Sequence, residues 1–306
     1  MLIREYVVLD VFTDVPLQGN QLAVFTDGSA LGGQVMQRAA REMSLSETVF
    51  VLAPGDGADS AGVPGARAAA RLPGAGADAR IRIFTPAIEL PFAGHPVLGA
   101  AFVVGESTGS SVVRLQTGVG VIPVELTRED GRIVAGEMEQ PIPEPEPFAN
   151  GDRLLAALGL ERSGLPIEAY RNGPLHIYVE LPSAAAVAAL RPDLGALTGL
   201  GTLGVNCFAG VGSAFKTRMF APALGVDEDP ATGSAAGPLA LHLARHGRIA
   251  FGQEIELRQG AEIGRPSLLR ARVDGSPGHI ERIVVGGIGG ARCARRVSAG
   301  VTGPLG

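Results

Sequence analysis

The sequence predicts an α+β protein built of two pseudo-symmetric halves, each a mostly antiparallel sheet rolled around one central helix. Three observations carry that expectation. A stretch of the chain recurs, "RIFTPA" (Arg82–Ala87) as "RMFAPA" (Arg218–Ala223) and "VVRLQTGVG" as "EIELRQGAE", at a spacing of about 136 to 142 residues. Several matches in one order argue for duplication of a unit. Short β-branched runs dominate both stretches. Each copy also carries a small-residue turn and then an apolar, nearly uncharged helix, as a helix enclosed by a sheet should be.

In order, "YVVLDVF" and "QLAVFT" read as strands, Leu31–Met43 as a helix, and "ETVFVLA", "ARIRIFT" as strands again. A second helix begins at Gly94–His95, followed by strands at "SVVRLQT" and "VIPVEL". The second half repeats the pattern with strands at "HIYVEL", "VNCFAGV" and "KTRMFAP" and a helix over about Ser234–His246. Strands at "EIELRQG", "SLLRARV" and "ERIVVGG" complete it. Two segments read as irregular. Pro54–Ala79 is a Gly-, Ala- and Pro-rich loop, and Pro141–Asp152 is a Pro-rich connector between halves.

The chain has 306 residues, 46% hydrophobic and 19% charged, which describes a folded globular protein. Net charge is −5 with no basic stripe, so nucleic acid is not an expected partner. No apolar run is long enough for a membrane span, and no signal peptide is evident, so the cytoplasm is the expected location. Cys207 and Cys293 form no close pair, which argues against a disulfide framework or thiolate zinc site. His242 and His246 are spaced i, i+4, but no third metal ligand is in view, and no metal or cofactor is expected. "TGSAAG" is not a G-x-S-x-G elbow, so Ser234 is not expected to be an acyl nucleophile.

The candidate chemistry lies elsewhere. Ser44-x-x-Glu47 has the form of a helix capping box. A capping box needs a helix after it, yet here the helix comes before and "TVFVL" is a strand. An ion pair at a strand end is the other plain reading; a carboxylate facing a concavity is the functional one. The turns "AGHP" (Ala93–Pro96) and "DPATGS" (Asp229–Ser234) each precede an apolar helix. Helix starts offer unpaired N–H groups to anions, although either turn alone could be an ordinary N-cap. Two such helix starts facing one cleft would suit a small anionic substrate. His95 beside one of them should be neutral near pH 7, able to position substrate or relay a proton.

These residues resemble the PhzF family. "LQGNQLAVF", "REMSLSETVF", "ARIRIFTPAIELPFAGHPVLG", "EAYRNGPLHIYVEL", "VNCFAG" and "EDPATGSAAGPLALHLARH" carry the resemblance, from about Tyr6 to Gly264. It implies a diaminopimelate epimerase-like fold with the active site between the halves. The first half would span residues 1–130, completed by about 286–306, and the second 131–285. In the epimerase each turn carries a catalytic cysteine; here Ala93 and Pro230 stand near those places, so a two-thiol mechanism is excluded. The implied activity is isomerisation of trans-2,3-dihydro-3-hydroxyanthranilate in phenazine biosynthesis by proton transfer from C3 to C1. By resemblance, Glu47 is the acid/base, with His95 and Asp229 as its partners in the pocket. Ser46, Gly94, Thr232, Gly233 and Ser234 would contact substrate. Burial in the cleft should raise the Glu47 pKa towards working pH. The resemblance also implies a homodimer. Two other readings stay open: a related isomerase or epimerase acting on another small amino or hydroxy acid, or a non-enzymatic binding protein on the same scaffold.

Overall fold

The computed structural model describes residues 2–55, 76–289 and 295–301. The predicted loop Pro54–Ala79 therefore lies mostly outside the described residues, as does Cys293. The chain is α+β and forms two compact units, Met1–Met138 with Gly287–Gly306, and Glu139–Gly286.

In the first unit the strands are β1 (Leu2–Val11), β2 (Asn20–Phe25), β3 (Glu47–Leu52), β4 (Ala79–Phe84), β5 (Glu89–Leu90), β6 (Val112–Thr117), β7 (Gly120–Glu129) and β8 (Arg132–Gln140). Two helices interrupt them, α1 (Gly33–Met43) and α2 (Gly94–Thr108). β2 runs parallel to β3 with Leu22 opposite Glu47; β3 is antiparallel to β4; β4 is antiparallel to β5 and parallel to β6; β6 is antiparallel to β7. The strands curl around α2, which packs on β1, β2, β3, β4, β6 and β7. Every residue from Gly94 to Phe102 is buried, because the helix is apolar on all sides. It comes this close because Gly99 has no side chain: a Cβ there would stand 2.6 Å from Leu22 Cδ2.

The second unit contains β9 (Pro145–Pro147), α3 (Gly151–Leu158), β10 (Glu168–Arg171), β11 (Leu175–Glu180), α4 (Ala184–Ala189) and α5 (Leu194–Thr198). Then follow β12 (Gly204–Val211), β13 (Ala214–Ala221), β14 (Val226–Asp229), α6 (Gly233–Arg245), β15 (Ile255–Gln259), β16 (Ser267–Ser276) and β17 (His279–Ile288). Here β11 is parallel to β12; β12 is antiparallel to β13; β13 is antiparallel to β14 and parallel to β15; β15 is antiparallel to β16. α6 is buried from Gly233 to Ala244 and packs on β11 and β16. A last strand, β18 (Arg295–Val301), pairs antiparallel with β1.

The segment Pro141–Asp152 is less irregular than expected. It contains β9, paired with β10, and the start of α3. Three short helices, α3 to α5, also went unforeseen. They bury Leu154, Val187 and Leu197 in one apolar cluster with β11 and β12, so packing rather than length stabilises them. Among the described residues no helix is long and apolar enough to cross a membrane.

Candidate active site

Glu47 is the first residue of β3. The chain reaches it from α1 through Ser44, the helix C-cap, whose φ of 50° is left-handed and whose N–H bonds Ala40 O. The helix ends where a capping box would need one to begin. The β-branched run Thr48–Val51 then draws the chain into the sheet, with Thr48, Val49 and Phe50 buried. Glu47 stays at the rim, its side chain 13% exposed. Ser46, beside it, is half-buried.

His95 is the second residue of α2. Pro96 follows within the first turn, where a missing N–H breaks no helical bond. His95 Nε2 lies 3.5 Å from Glu47 Oε2, and its Nδ1 lies 3.1 Å from Asn20 Nδ2. Burial pulls the His95 pKa down to about 3, against a backbone hydrogen bond at Gln21 that favours the charged form. The pair is therefore a neutral imidazole beside a carboxyl, not an ion pair. That matters chemically. An imidazolium at this distance would stabilise the carboxylate form of Glu47, whereas a neutral ring adds no such charge.

α2 starts without a side-chain cap and without an acid in its first turn, and so does α6. In contrast, Ser183 and Asp193 cap α4 and α5 through their side chains. Such a start, which α1 shares, leaves the first backbone N–H groups and the positive end of the helix dipole to partners other than a side-chain cap. Gly94 and Gly233 are the first residues of the two helices.

In the second unit Asp229 ends β14 and is buried. Thr232, at the N-cap of α6, donates its hydroxyl to Asp229 Oδ2 at 2.6 Å. Gln259 clamps both: its Nε2 donates to Asp229 O at 2.8 Å and to Thr232 Oγ1 at 2.9 Å. Its Oε1 accepts the Thr232 N–H at 3.2 Å. The sequence reading has Thr232 as a substrate contact; the structure engages its N–H and hydroxyl in holding Asp229 in place. Ser234 Oγ lies 3.1 Å from His176 Nε2. Side chains also fill the carbonyls of this turn. Gln140 donates to Gly233 O, Asn172 to Ser234 O and Tyr178 to Ala235 O, each at 2.8 Å. The Asn172 bond replaces one that Pro238 cannot give, since Pro238 lacks the N–H that would reach Ser234 O.

Structure thus groups Glu47 with His95 in one unit, and Asp229, Thr232, Gly233 and Ser234 in the other. Asn20, His176, Asn206 and Gln259 complete these groups and were not singled out from sequence. Asn20, His176 and Asn206 lie within the blocks that carried the family resemblance, but no local spacing marks them.

His242 and His246 do gain the third donor that sequence did not show. Glu168 Oε2 lies 3.1 Å from His242 Nδ1 and 3.0 Å from His246 Nε2. The same oxygen takes Arg245 Nη1 at 2.7 Å and the Tyr170 hydroxyl at 2.8 Å. Burial works to raise the Glu168 pKa. Hydrogen bonds from His246 and Tyr170, with the charges of Arg245 and His242, outweigh it and hold the carboxyl at about 2. A guanidinium already supplies the cation here, so the cluster reads as a structural knot. Cys207 is buried on β12, and burial pushes its thiol up to about 12.

A family model described as PhzC-PhzF, phenazine biosynthesis-like protein, matches residues 9–291. The chain belongs to the PhzC-PhzF family. A trans-2,3-dihydro-3-hydroxyanthranilate isomerase from Pseudomonas aeruginosa is 52% identical over 289 residues, covering 94% of this chain and 97% of that relative. A solved structure described as a predicted epimerase, also from Pseudomonas aeruginosa, is 32% identical with a TM-score of 0.75, over 96% of this chain and 99% of that one. A hydroxyproline epimerase from Agrobacterium vitis shares the fold at 15% identity and a TM-score of 0.62, over 99% of this chain and 93% of that one. The PhzC-PhzF scaffold is thus epimerase-like.

Proposed function

We propose that this chain is an isomerase of trans-2,3-dihydro-3-hydroxyanthranilate in phenazine biosynthesis, with Glu47 moving the proton. The observation that carries the reading is Glu47 at the rim of β3 beside a buried, neutral His95 at the uncapped start of α2. The isomerase relative at 52% identity supports the substrate. In the reaction, the Glu47 carboxylate takes the proton from C3. The ring double bonds shift, and the resulting acid returns the proton at C1. The 3-hydroxyl then sits on an sp² carbon as an enol, which tautomerises to the ketone. One carboxylate suffices for both transfers.

In this reading the chain is two copies of one unit, each with a helix start suited to an anionic group. The substrate carboxylate meets N–H groups of a helix start, which also steady developing negative charge. Asp229, held by Thr232 and Gln259, binds the amine or hydroxyl and orients the ring. Ser46, Gly94, Gly233 and Ser234 supply further contacts. Among the described residues a thiol-based epimerase reading finds no support: the N-cap of α2 is Ala93, and the Cys207 thiol is buried and pushed up to about 12. The homodimer belongs to the same proposal, and sedimentation of the full chain reads it directly.

The test is turnover of trans-2,3-dihydro-3-hydroxyanthranilate followed by its absorbance, wild type beside Glu47→Gln. Wild type should turn over and the variant should lose about 10³-fold. An inactive wild type defeats the substrate assignment; an undiminished variant defeats the role of Glu47.

A further inference from the structure

We propose that Asn206 and His176 are positioning residues that fix the Ser234 hydroxyl as a hydrogen-bond donor to the carboxylate of the bound ligand. This rests on the reading above that Ser234 contacts substrate, and adds which way its proton faces and what decides it.

The argument starts at Asn206 on β12. Its Nδ2 lies 3.2 Å from Gly204 O and 3.4 Å from Ile177 O, and both are carbonyls that can only accept. The amide nitrogen must therefore face them. The same Nδ2 stands 3.3 Å from His176 Nδ1. The NH2 group has two hydrogens for these three neighbours, but it cannot accept, so an Nδ1–H would face it unpaired; in a neutral ring the proton therefore sits on Nε2. The ring is neutral: His176 is buried, and burial lowers its pKa to about 3. The Nε2–H then points at Ser234 Oγ, 3.1 Å away. An oxygen that accepts from His176 keeps its own proton to give elsewhere. Gly204 and Ile177 carbonyls thus set the polarity of a chain of hydrogen bonds three residues long, ending at the start of α6. A hydroxyl obliged to donate favours an anionic acceptor and disfavours an amine.

The experiment reads the tautomer and the affinity separately. The full chain is labelled with ¹⁵N-histidine, and the His176 signals are assigned by their loss in His176→Gln. Nitrogen shifts should show Nε2 protonated and Nδ1 bare in the wild type. Asn206→Asp replaces the donor with a carboxylate that can only accept, and should move the proton to Nδ1. Binding of 3-hydroxyanthranilate, a stable aromatic mimic that keeps the carboxylate, should then weaken about tenfold, the loss of one charge-assisted hydrogen bond. Ser234→Ala should weaken it similarly, and the double variant no further. A wild-type ring protonated on Nδ1 overturns the proposal and needs no variant to fold. A switched tautomer with unchanged affinity overturns it too. An Nε2-protonated ring with unchanged affinity in Ser234→Ala sinks instead the contact between Ser234 and ligand.

Discussion

The two units carry the same pairing order around a buried helix, yet they equip it differently. In each, a parallel pair leads into an antiparallel one, and an Arg on the repeated strand stacks over a Phe two residues on: Arg82 over Phe84, Arg218 over Phe220. Each Arg also forks onto a Glu, Glu89 or Glu228, through two bonds of 2.7 to 2.8 Å. Such a bidentate pair holds a small strand (β5 or β14) against its neighbour just before the helix turn. The supports match, but the side chains at the helix starts do not. The first unit places Glu47, a carboxyl at the rim, 3.5 Å from a neutral imidazole. The second places Asp229 inside a closed set of bonds from Thr232 and Gln259. Under the function proposed above, proton transfer falls to Glu47 and orientation of the ring to Asp229.

The comparison breaks most visibly at Glu47. Glu47→Gln should lower kcat by about 10³-fold while leaving the dissociation constant of 3-hydroxyanthranilate within a few-fold. Asp229→Asn should act the other way, lowering kcat/KM by about tenfold to a hundredfold, chiefly through KM, because it removes a charged partner. Equal loss of kcat in both variants would erase the division of labour.

A third prediction uses what the units share. His95 and His176 are each buried with pKa lowered to about 3, and His242 to about 4 by burial and by the His246 charge. All three take up protons near 6.5 when unfolded. The unfolded chain thus binds more protons between those values, so stability is complete above pH 6.5 and falls with pH. Each histidine contributes up to roughly 1.4 kcal/mol per pH unit. Glu168, at about 2, enters only below its unfolded value of 4.5. Urea midpoints between pH 7 and 5 therefore isolate the histidines. His95→Gln and His176→Gln should each flatten the dependence, and a slope unaltered in both would mean the rings are not neutral. The smallest expected effect bounds the site in the second unit. Glu168→Gln should reduce stability by about 1 kcal/mol through the loss of its bonds to Arg245 and the histidines. Turnover should stay unchanged; a fall in kcat would draw that knot into the chemistry.

Sequence revealed the elements with strong periodicity or composition: the apolar helices, the β-branched strand after Glu47, and both small-residue turns. Local rules did not reveal what lies across the fold. Asn20 meets His95 from 75 residues away, and His176 meets Ser234 from 58; no spacing argument reaches that far. Glu168 was hidden from the His242–His246 pair for the same reason, at 74 residues. The helices α4 and α5 did leave a signal. Ser183 and Asp193 accept N–H bonds three residues on, the mark of an N-cap, but the helices they start are only 6 and 5 residues long, too short for a periodic pattern.

The first turn of α6 has a consequence for how the chain folds. Its carbonyls at Gly233, Ser234 and Ala235 are satisfied by Gln140, Asn172 and Tyr178, from 93, 62 and 57 residues upstream. For Ser234 O, Pro238 also removes the local donor that might have served meanwhile. An isolated peptide of this helix should therefore fray at its start. In the whole chain, that turn can set only after β10 and β11 are in place, so closing such long loops comes before it. Amide exchange during refolding should find the end of α6 protected early and its beginning late. The start of α6, proposed above to meet substrate, is then among the last parts to form.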